Sequence, residues 1–183
     1  VIVVDPVKGG ADFAPLRPWL RGLGGQTVAQ ADAMMKAVWA EVRRRKELAA
    51  ARGVPGVDGL PDGQRPPHAL VVVDEFTSLM LAETVRRVRT ADPDVLAEWE
   101  RAERENTRKA SIGSLTARIA REARSSGVHL VLGTQVLKAD TIARIPGGDL
   151  KNNLGRLLLG SPTRGERMSG LRQPELAPAL TQA

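Results

Sequence analysis

The 183-residue sequence contains no cysteine. Disulfide bonds and metal sites built on thiolates are therefore excluded, and the composition fits a cytosolic protein. No apolar run approaches the roughly 20 residues that a helix needs to cross a bilayer. The chain opens on apolar residues without a preceding basic region, so we expect no secretory signal. It begins with Val1 and not with methionine, and we take it to be part of a longer polypeptide.

Hydrophobic residues make up 42% of the chain, which is enough for one α/β domain with a sizeable core. Lysine and arginine together number 27 against 21 acidic residues, giving a net charge of +6. A basic balance is compatible with a polyanionic partner such as DNA. A high-GC coding sequence also raises arginine, alanine and glycine together, so charge alone does not identify a partner.

The most informative stretch runs from Leu70 to Phe76, where four apolar residues lead directly into Asp74 and Glu75. A continuous apolar run of this length predicts a strand buried on both faces of a parallel sheet. Ligands of such sheets bind at the carboxyl ends of the strands. In nucleotide hydrolases the first acid of such a pair holds Mg²⁺ and the second polarises the attacking water. The alternative is an acid that only caps the next helix.

Similar apolar runs predict further strands at 1–4, 128–132 and 156–160, and strands separated by helices predict a parallel sheet. Thr27 and Gln30 fit a capping box at the start of a helix that stops near Gly53. Its predicted buried face comprises Ala31, Met35, Val38 and Val42.

The remaining segments are assigned by composition. Residues 13–25 are predicted to form a loop or short helical turn, 53–67 a surface loop and 78–89 a helix. Asp92-Pro93 would start an exposed, charged helix, an insert over about 92–110. An amphipathic helix follows over Leu115, Ile119 and Ala123, and a peripheral tail covers 173–183.

Thr134 and Gln135 directly follow the strand at 128–132, so they should reach the same sheet edge as the acid pair. Gln135 has the donor and acceptor character needed to contact a γ-phosphate and its attacking water. A turn residue that satisfies the backbone is the alternative for Gln135. Arg121 and Arg124 lie just before the strand at 128–132, where an arginine could neutralise charge in a neighbouring subunit's transition state. The alternative for them is a solvated or salt-bridged side chain. His129 lies within an apolar run and is expected in the core.

No phosphate-binding loop of the form G-x-x-x-x-G-K-S/T occurs in the sequence. The glycine pairs at 9–10 and 147–148 are interpreted as turns. In nucleotide hydrolases this loop normally lies on a strand and helix that precede the strand at which this chain begins. We therefore expect an N-terminally truncated domain, which by itself would hydrolyse ATP poorly or not at all.

With these residues placed, the chain resembles the motor domain of the FtsK/SpoIIIE family of DNA translocases over most of residues 1–170. The segment 123–135 is similar to the family's Ala-Arg-Ala-Ala-Gly-Ile-His-Leu-Val-Leu-Ala-Thr-Gln without a gap. Leu70 to Phe76 resembles its Walker B strand, which ends in Asp-Glu-Phe. The first strand resembles one ending in Asp-Pro-Lys, although here Val7 follows the proline and Lys8 comes one position later.

The resemblance implies a RecA-like P-loop NTPase core, an α/β fold with a mostly parallel sheet and flanking helices, over residues 1–172. It implies ATP and Mg²⁺ as cofactors, with Asp74 as the metal-coordinating acid and Glu75 as the catalytic base. Thr134 and Gln135 would contact the nucleotide, Gln135 as sensor, and Arg124 would act as a finger on a neighbouring subunit. The family's pore arginine after Gln135 is replaced here by valine, and Lys138 is the candidate DNA contact.

The function implied is ATP-driven translocation of double-stranded DNA by a ring, usually a homo-hexamer. The likeness is greatest to conjugative-transfer proteins of actinobacterial plasmids and integrative elements. The motor would be cytoplasmic, on a parent possessing a membrane anchor at the inner face of the membrane. Two alternatives stay open: an EccC-like type VII secretion ATPase that moves polypeptide, and a catalytically degenerate ring subunit.

Overall fold

A computed structural model describes residues 1–20, 22–23, 25–84 and 92–135, together with 150, 153–155, 157 and 165. The described strands form one parallel sheet in the order β2-β1-β3-β4. Their bounds are Ile2–Val4 for β1, Gly22–Leu23 for β2, Ala69–Val73 for β3 and Val128–Leu132 for β4. No described helix is long and apolar enough to cross a membrane.

Three α-helices accompany the sheet: α1 at Val28–Ala51, α2 at Phe76–Leu79 and α3 at Pro93–Glu122. Short 3₁₀ helices cover Ala11–Trp19, Val57–Gly59 and Arg124–Ser126. The predicted α/β class, with a parallel sheet and flanking helices, is confirmed. The apolar runs predicted β1, β3 and β4. The two-residue β2 lies in a segment predicted as a loop or short helical turn. Of the predicted strand at 156–160 only residue 157 is described, and it is not in a strand.

The first long helix begins where the capping pattern predicted. The hydroxyl of Thr27 accepts a hydrogen bond from the backbone N–H of Gln30 at 3.2 Å. Ala31, Met35 and Val42 are fully buried, and they pack in one core with Val71 and Val73 of β3 and with Ile112 and Ile119 of α3. The sheet residues of this core alternate along each strand, so α1 and α3 cover the same face of the sheet.

The predicted helix at 78–89 is wrong in its described part, because α2 ends at Leu79 and residues 81–84 are not helical. Side chains of α3 bind the backbone there instead. The amide of Asn106 accepts from the N–H of Glu83 at 2.8 Å and donates to its carbonyl at 3.0 Å. The ammonium of Lys109 donates to the carbonyl of Leu81 at 2.9 Å. Tertiary hydrogen bonds therefore replace the helical ones that local propensity favoured.

The two helices expected between Asp92 and Ala123 are one continuous helix. Asp92 caps it through its side chain, which accepts from the N–H of Asp94 at 2.9 Å, and Pro93 occupies the first turn as predicted. The predicted insert at 92–110 therefore forms the first half of α3. Ser111, at the middle of α3, donates to Asp32 of α1 at 2.7 Å.

His129 was expected in the core but is exposed on β4. Its Nε2 lies 2.9 Å from Nδ1 of His68, whose Nε2 lies 2.9 Å from the carboxylate of Asp58. Alternation along β4 points His129 and Val131 away from the face that α1 and α3 cover. The apolar run around His129 did not reveal that this face of β4 is exposed.

Arg45 of α1 is buried and ties three parts of the fold together. Its guanidinium donates to the carboxylate of Glu41 at 2.7 Å and to the carbonyls of Pro67 and Ser126 at 3.0 and 3.1 Å. These carbonyls belong to the segments that enter β3 and β4. The planar fork of an arginine can satisfy three acceptors at fixed angles, which a lysine cannot do.

We expect Arg45→Met to lower the free energy of unfolding by about 2–3 kcal/mol, because it removes the donor to the carbonyl of Pro67 and to the buried carbonyl of Ser126. The free energy of unfolding of Arg45→Lys should lie between those of the wild type and Arg45→Met. Urea unfolding monitored by far-ultraviolet circular dichroism measures the change. The control is Arg43→Met on the exposed side of α1, for which about 0.5 kcal/mol or less is expected. Equal losses in both variants would show that the contacts of Arg45 contribute nothing.

The pKa of Glu41 is lowered to about 2, chiefly by its hydrogen bonds with Arg44 and further by Arg45. The ionised carboxylate therefore stabilises the folded state fully above its ordinary value of 4.5, and this contribution is lost as the pH falls toward 2. Glu41→Gln should lower the free energy of unfolding by about 1 kcal/mol at pH 7. The loss is no larger because the side chain is 36% exposed and its ion pairs are screened by solvent.

The difference in the free energy of unfolding between the wild type and Glu41→Gln should shrink as the pH is lowered from 4.5 to 2. Urea unfolding at a series of pH values measures it. Glu47→Gln, an exposed position on the same helix, controls for the loss of one negative charge. A difference that stays constant down to pH 2 would refute the assigned pairing.

Candidate functional site

The backbone brings the ends of β1, β3 and β4 together beyond their last paired residues. The N–H of Asp74 donates to the carbonyl of Val4 at 3.0 Å, and the N–H of Gly133 donates to the carbonyl of Val73 at 2.8 Å. The N–H of Phe76 in turn donates to the carbonyl of Gly133 at 2.8 Å. The residues that follow β3 and β4 are therefore held side by side at one edge of the sheet.

Glu75 adopts a left-handed backbone conformation, with φ 48° and ψ 38°. It is the one non-glycine residue with positive φ in the described part of the chain. This conformation costs a residue with a Cβ roughly 1 kcal/mol, and strained residues of this kind cluster at functional sites. The turn directs the chain from β3 into α2 within a single residue.

Glu75 precedes α2, yet the structure contradicts the capping alternative. Within the described residues its side chain makes no capping hydrogen bond to α2. The carboxylate is instead directed toward β4, where Nε2 of Gln135 donates to Oε1 of Glu75 at 2.7 Å. Glu75 is only 6% exposed, so this hydrogen bond compensates part of the cost of burying its charge. The predicted acid and the predicted sensor are therefore in direct contact.

Asp74 points its carboxylate at the backbone of Gly133. A Cβ built on Gly133 would lie 2.5 Å from Oδ1 of Asp74, so the glycine leaves the space that this carboxylate occupies. The family that the sequence resembles has alanine at this position. The side chain of Asp74 remains about one quarter exposed at the sheet edge, and its oxygens are available to a ligand.

Thr134 is bonded to α2. Its hydroxyl and that of Thr77 form a hydrogen bond in which either oxygen can donate. This bond fixes the end of β4 against the first turn of α2. Thr134 thus lies between Gly133 and Gln135 at the site edge, where the sequence placed it.

Lys8 also belongs to this site, and sequence reasoning did not include it. Its ammonium lies 2.8 Å from Asp12, 3.2 Å from Oε1 of Glu75 and 3.9 Å from Oδ2 of Asp74. The hydrogen bonds with Asp12 and then with Glu75 raise the pKa of Lys8 well above its ordinary value. The signal that could have found it is the lysine shortly after Asp5-Pro6, at the end of a strand parallel to β3.

Arg124 is not part of this cluster within one chain. It opens the 3₁₀ helix that leads into β4, so it lies at the amino end of the strand whose carboxyl end carries Gln135. Five strand residues separate the two ends by roughly 15 Å. Arg124 is exposed there. Lys138, the predicted DNA contact, lies outside the described residues.

The donor set fits a hard, well-hydrated cation. The described residues include no group of three or more histidine, cysteine, aspartate or glutamate side chains that could hold a metal. Mg²⁺ keeps most of its water and takes one or two carboxylates together with substrate phosphates, so a single accessible aspartate is an adequate protein ligand. The residues present fit Mg²⁺ bound with a nucleotide, and they do not fit a structural transition-metal site.

No protein-family model and no curated protein matches this chain. The pCW3 conjugation coupling protein TcpA, whose structure was solved in a monomer form with ATPγS, matches with a TM-score of 0.63 and 22% sequence identity. The match covers 84% of this chain and 38% of the TcpA chain. At this identity the likeness shows the fold alone, and that fold is the predicted α/β architecture with a parallel sheet and flanking helices.

Proposed function

We propose that this chain is the Walker B half of an ATPase that moves double-stranded DNA, with Asp74 as the ligand of Mg²⁺ and Glu75 as the catalytic base. The observation that supports this most is the contact of Gln135 with Glu75 at the carboxyl edge of β3 and β4. A general base must be held within hydrogen-bond reach of the proton that it takes. The match to TcpA, solved with ATPγS, supports a nucleotide as the ligand.

Each residue of the site has a distinct part in this proposal. Glu75 accepts a proton from the water that attacks the γ-phosphate, and Gln135 orients both the carboxylate and that water. Asp74 holds Mg²⁺, through water or directly. When bound, the metal neutralises charge on the phosphates and orients them. The phosphate-binding loop would come from sequence other than these 183 residues, which contain none.

The conjugative-transfer type of motor is the form that we propose for the complete protein, a cytoplasmic ring with a membrane anchor in another segment. The net charge of +6 suits a DNA partner. The position of Arg124 at the far end of β4 suits action on a neighbouring copy, as a homo-hexamer would provide. Lys138 is proposed as the DNA contact that replaces the family's pore arginine.

A second candidate, a secretion motor that moves polypeptide, is favoured by one observation. The sequence continues Gln135-Val136-Leu137, without the arginine that lies near the DNA pore in the translocases that it resembles. A ring motor that threads polypeptide has no phosphate backbone to contact and needs no arginine there.

We expect duplex DNA to stimulate ATP hydrolysis by the complete protein that contains this chain. Glu75→Gln should lower kcat by about a hundredfold or more, because the amide cannot accept the proton. Nucleotide binding, measured by calorimetry, should persist. The matched control is Glu100→Gln, the same chemical change on the exposed side of α3, and it should leave kcat unaltered.

Stimulation by a secreted polypeptide and not by DNA would replace the first proposal with the second. Absence of hydrolysis with either partner would favour the third interpretation, a catalytically degenerate ring subunit. Full activity of Glu75→Gln would contradict the role of Glu75 in both.

Asp74→Asn tests the metal ligand. The carboxamide binds Mg²⁺ more weakly than the carboxylate, so the Mg²⁺ concentration for half-maximal hydrolysis should rise about tenfold or more. Asp62→Asn, at a fully exposed loop position, is the control. An unchanged Mg²⁺ requirement in Asp74→Asn, in a titration at fixed ATP concentration, would remove Asp74 from the metal site.

A further inference from the structure

Lys8 places one ammonium group among three carboxylates. The ammonium has three N–H donors, and the carboxylates of Asp12, Glu75 and Asp74 lie 2.8, 3.2 and 3.9 Å from its nitrogen. The raised pKa of Lys8 keeps it charged throughout the physiological range. This is a fixed positive charge at the point where the proposed reaction takes place.

The turn that carries Lys8 is fixed by hydrogen bonds of its backbone, independently of the Lys8 side chain. The carboxylate of Asp5, only 1% exposed, accepts the N–H of Lys8 and the N–H of Gly10, both at 3.0 Å. Gly9 and Gly10 have φ of +64° and +74°, a conformation that glycine adopts without strain. Because β1 pairs with β3, with Val4 opposite Val73, this turn starts beside Asp74. A fixed turn costs little entropy when it presents a side chain.

Lys8 and Gln135 bind the same oxygen of Glu75. The ammonium lies 3.2 Å and the amide nitrogen 2.7 Å from Oε1. Two donors that converge on one oxygen from different strands fix the rotation of the carboxylate. The orientation then directs the other oxygen, Oε2, toward the proton that a general base must accept.

We propose that Lys8 is a positioning residue for ATP hydrolysis, which holds Oε1 of Glu75 so that Oε2 faces the attacking water. The inference rests on the proposed function, since it presupposes that Glu75 is the base. The residue does not contact the substrate in this proposal but acts through Glu75. Asp12 is its outer anchor, because the shortest contact of the ammonium is with this carboxylate.

The test compares Lys8→Met with Lys8→Arg in the complete protein under saturating duplex DNA. We expect Lys8→Met to lower kcat about tenfold to a hundredfold, as a misplaced catalytic group does, and to change KM for ATP little. Lys8→Arg should restore most of kcat, because a guanidinium also binds carboxylates.

Lys36→Met provides the matched control, since Lys36 forms a comparable ion pair with Asp32 on α1, outside the site. A second variant, Asp12→Asn, weakens the outer anchor of Lys8 and leaves Lys8 itself unchanged. It should lower kcat by a smaller factor. In the double variant with Lys8→Met it should add no further loss, because both changes act through one interaction.

The outcomes separate the two proposals. If Glu75→Gln abolishes hydrolysis while Lys8→Met keeps the wild-type kcat, the inference about Lys8 is overturned and the proposed function stands. If Glu75→Gln is fully active, the proposed function fails first. Equal loss in Lys8→Met and Lys8→Arg would mean a structural role only. If Lys8→Met does not fold, kcat of Asp12→Asn decides: a lowered kcat supports the inference, and the wild-type kcat overturns it.

Discussion

Two backbone hydrogen bonds determine the geometry of the site. The N–H of Gly133 donates to the carbonyl of Val73, and the N–H of Phe76 donates back to the carbonyl of Gly133. The two strands therefore stay joined one residue beyond their ends, and the chain has to leave β3 through the left-handed turn at Glu75. Since the backbone sets this path, exchanging the acid or the amide changes the chemistry of the site while the edge itself stays in place.

The parts that the sequence predicted are those that depend on local pattern and on the rule of parallel strands. Apolar runs located β1, β3 and β4, and the ends of parallel strands meet at one edge, so Glu75 and Gln135 could be expected close together. The cap at Thr27 was equally local. These predictions held because each required only the identity of a strand or a helix start. The contact of 2.7 Å between Gln135 and Glu75 follows from the same rule.

The parts that the sequence did not predict depend on contacts between distant segments. Residues 81–84 resembled the continuation of a helix, but Asn106 and Lys109 of α3 bind their backbone. The charged half of α3 resembled a solvated insert, yet it continues directly into the half that packs on α1. Lys8 was overlooked because its approach to Glu75 depends on the pairing of β1 with β3 as well as on the local turn at Asp5. The contacts that join these distant segments have no signature within one window of sequence.

The balance of charge connects Lys8 with the metal. Three carboxylates and one ammonium lie together at the edge, those of Asp12, Asp74, Glu75 and Lys8, so the cluster carries two net negative charges. One divalent cation, as proposed above for Asp74, would neutralise that charge. The ammonium is closest to Asp12 and Glu75 and farthest from Asp74, the acid proposed to hold Mg²⁺. A lysine that contacts the proposed base and a cation bound by the aspartate could therefore occupy the same edge, because each would satisfy a different carboxylate.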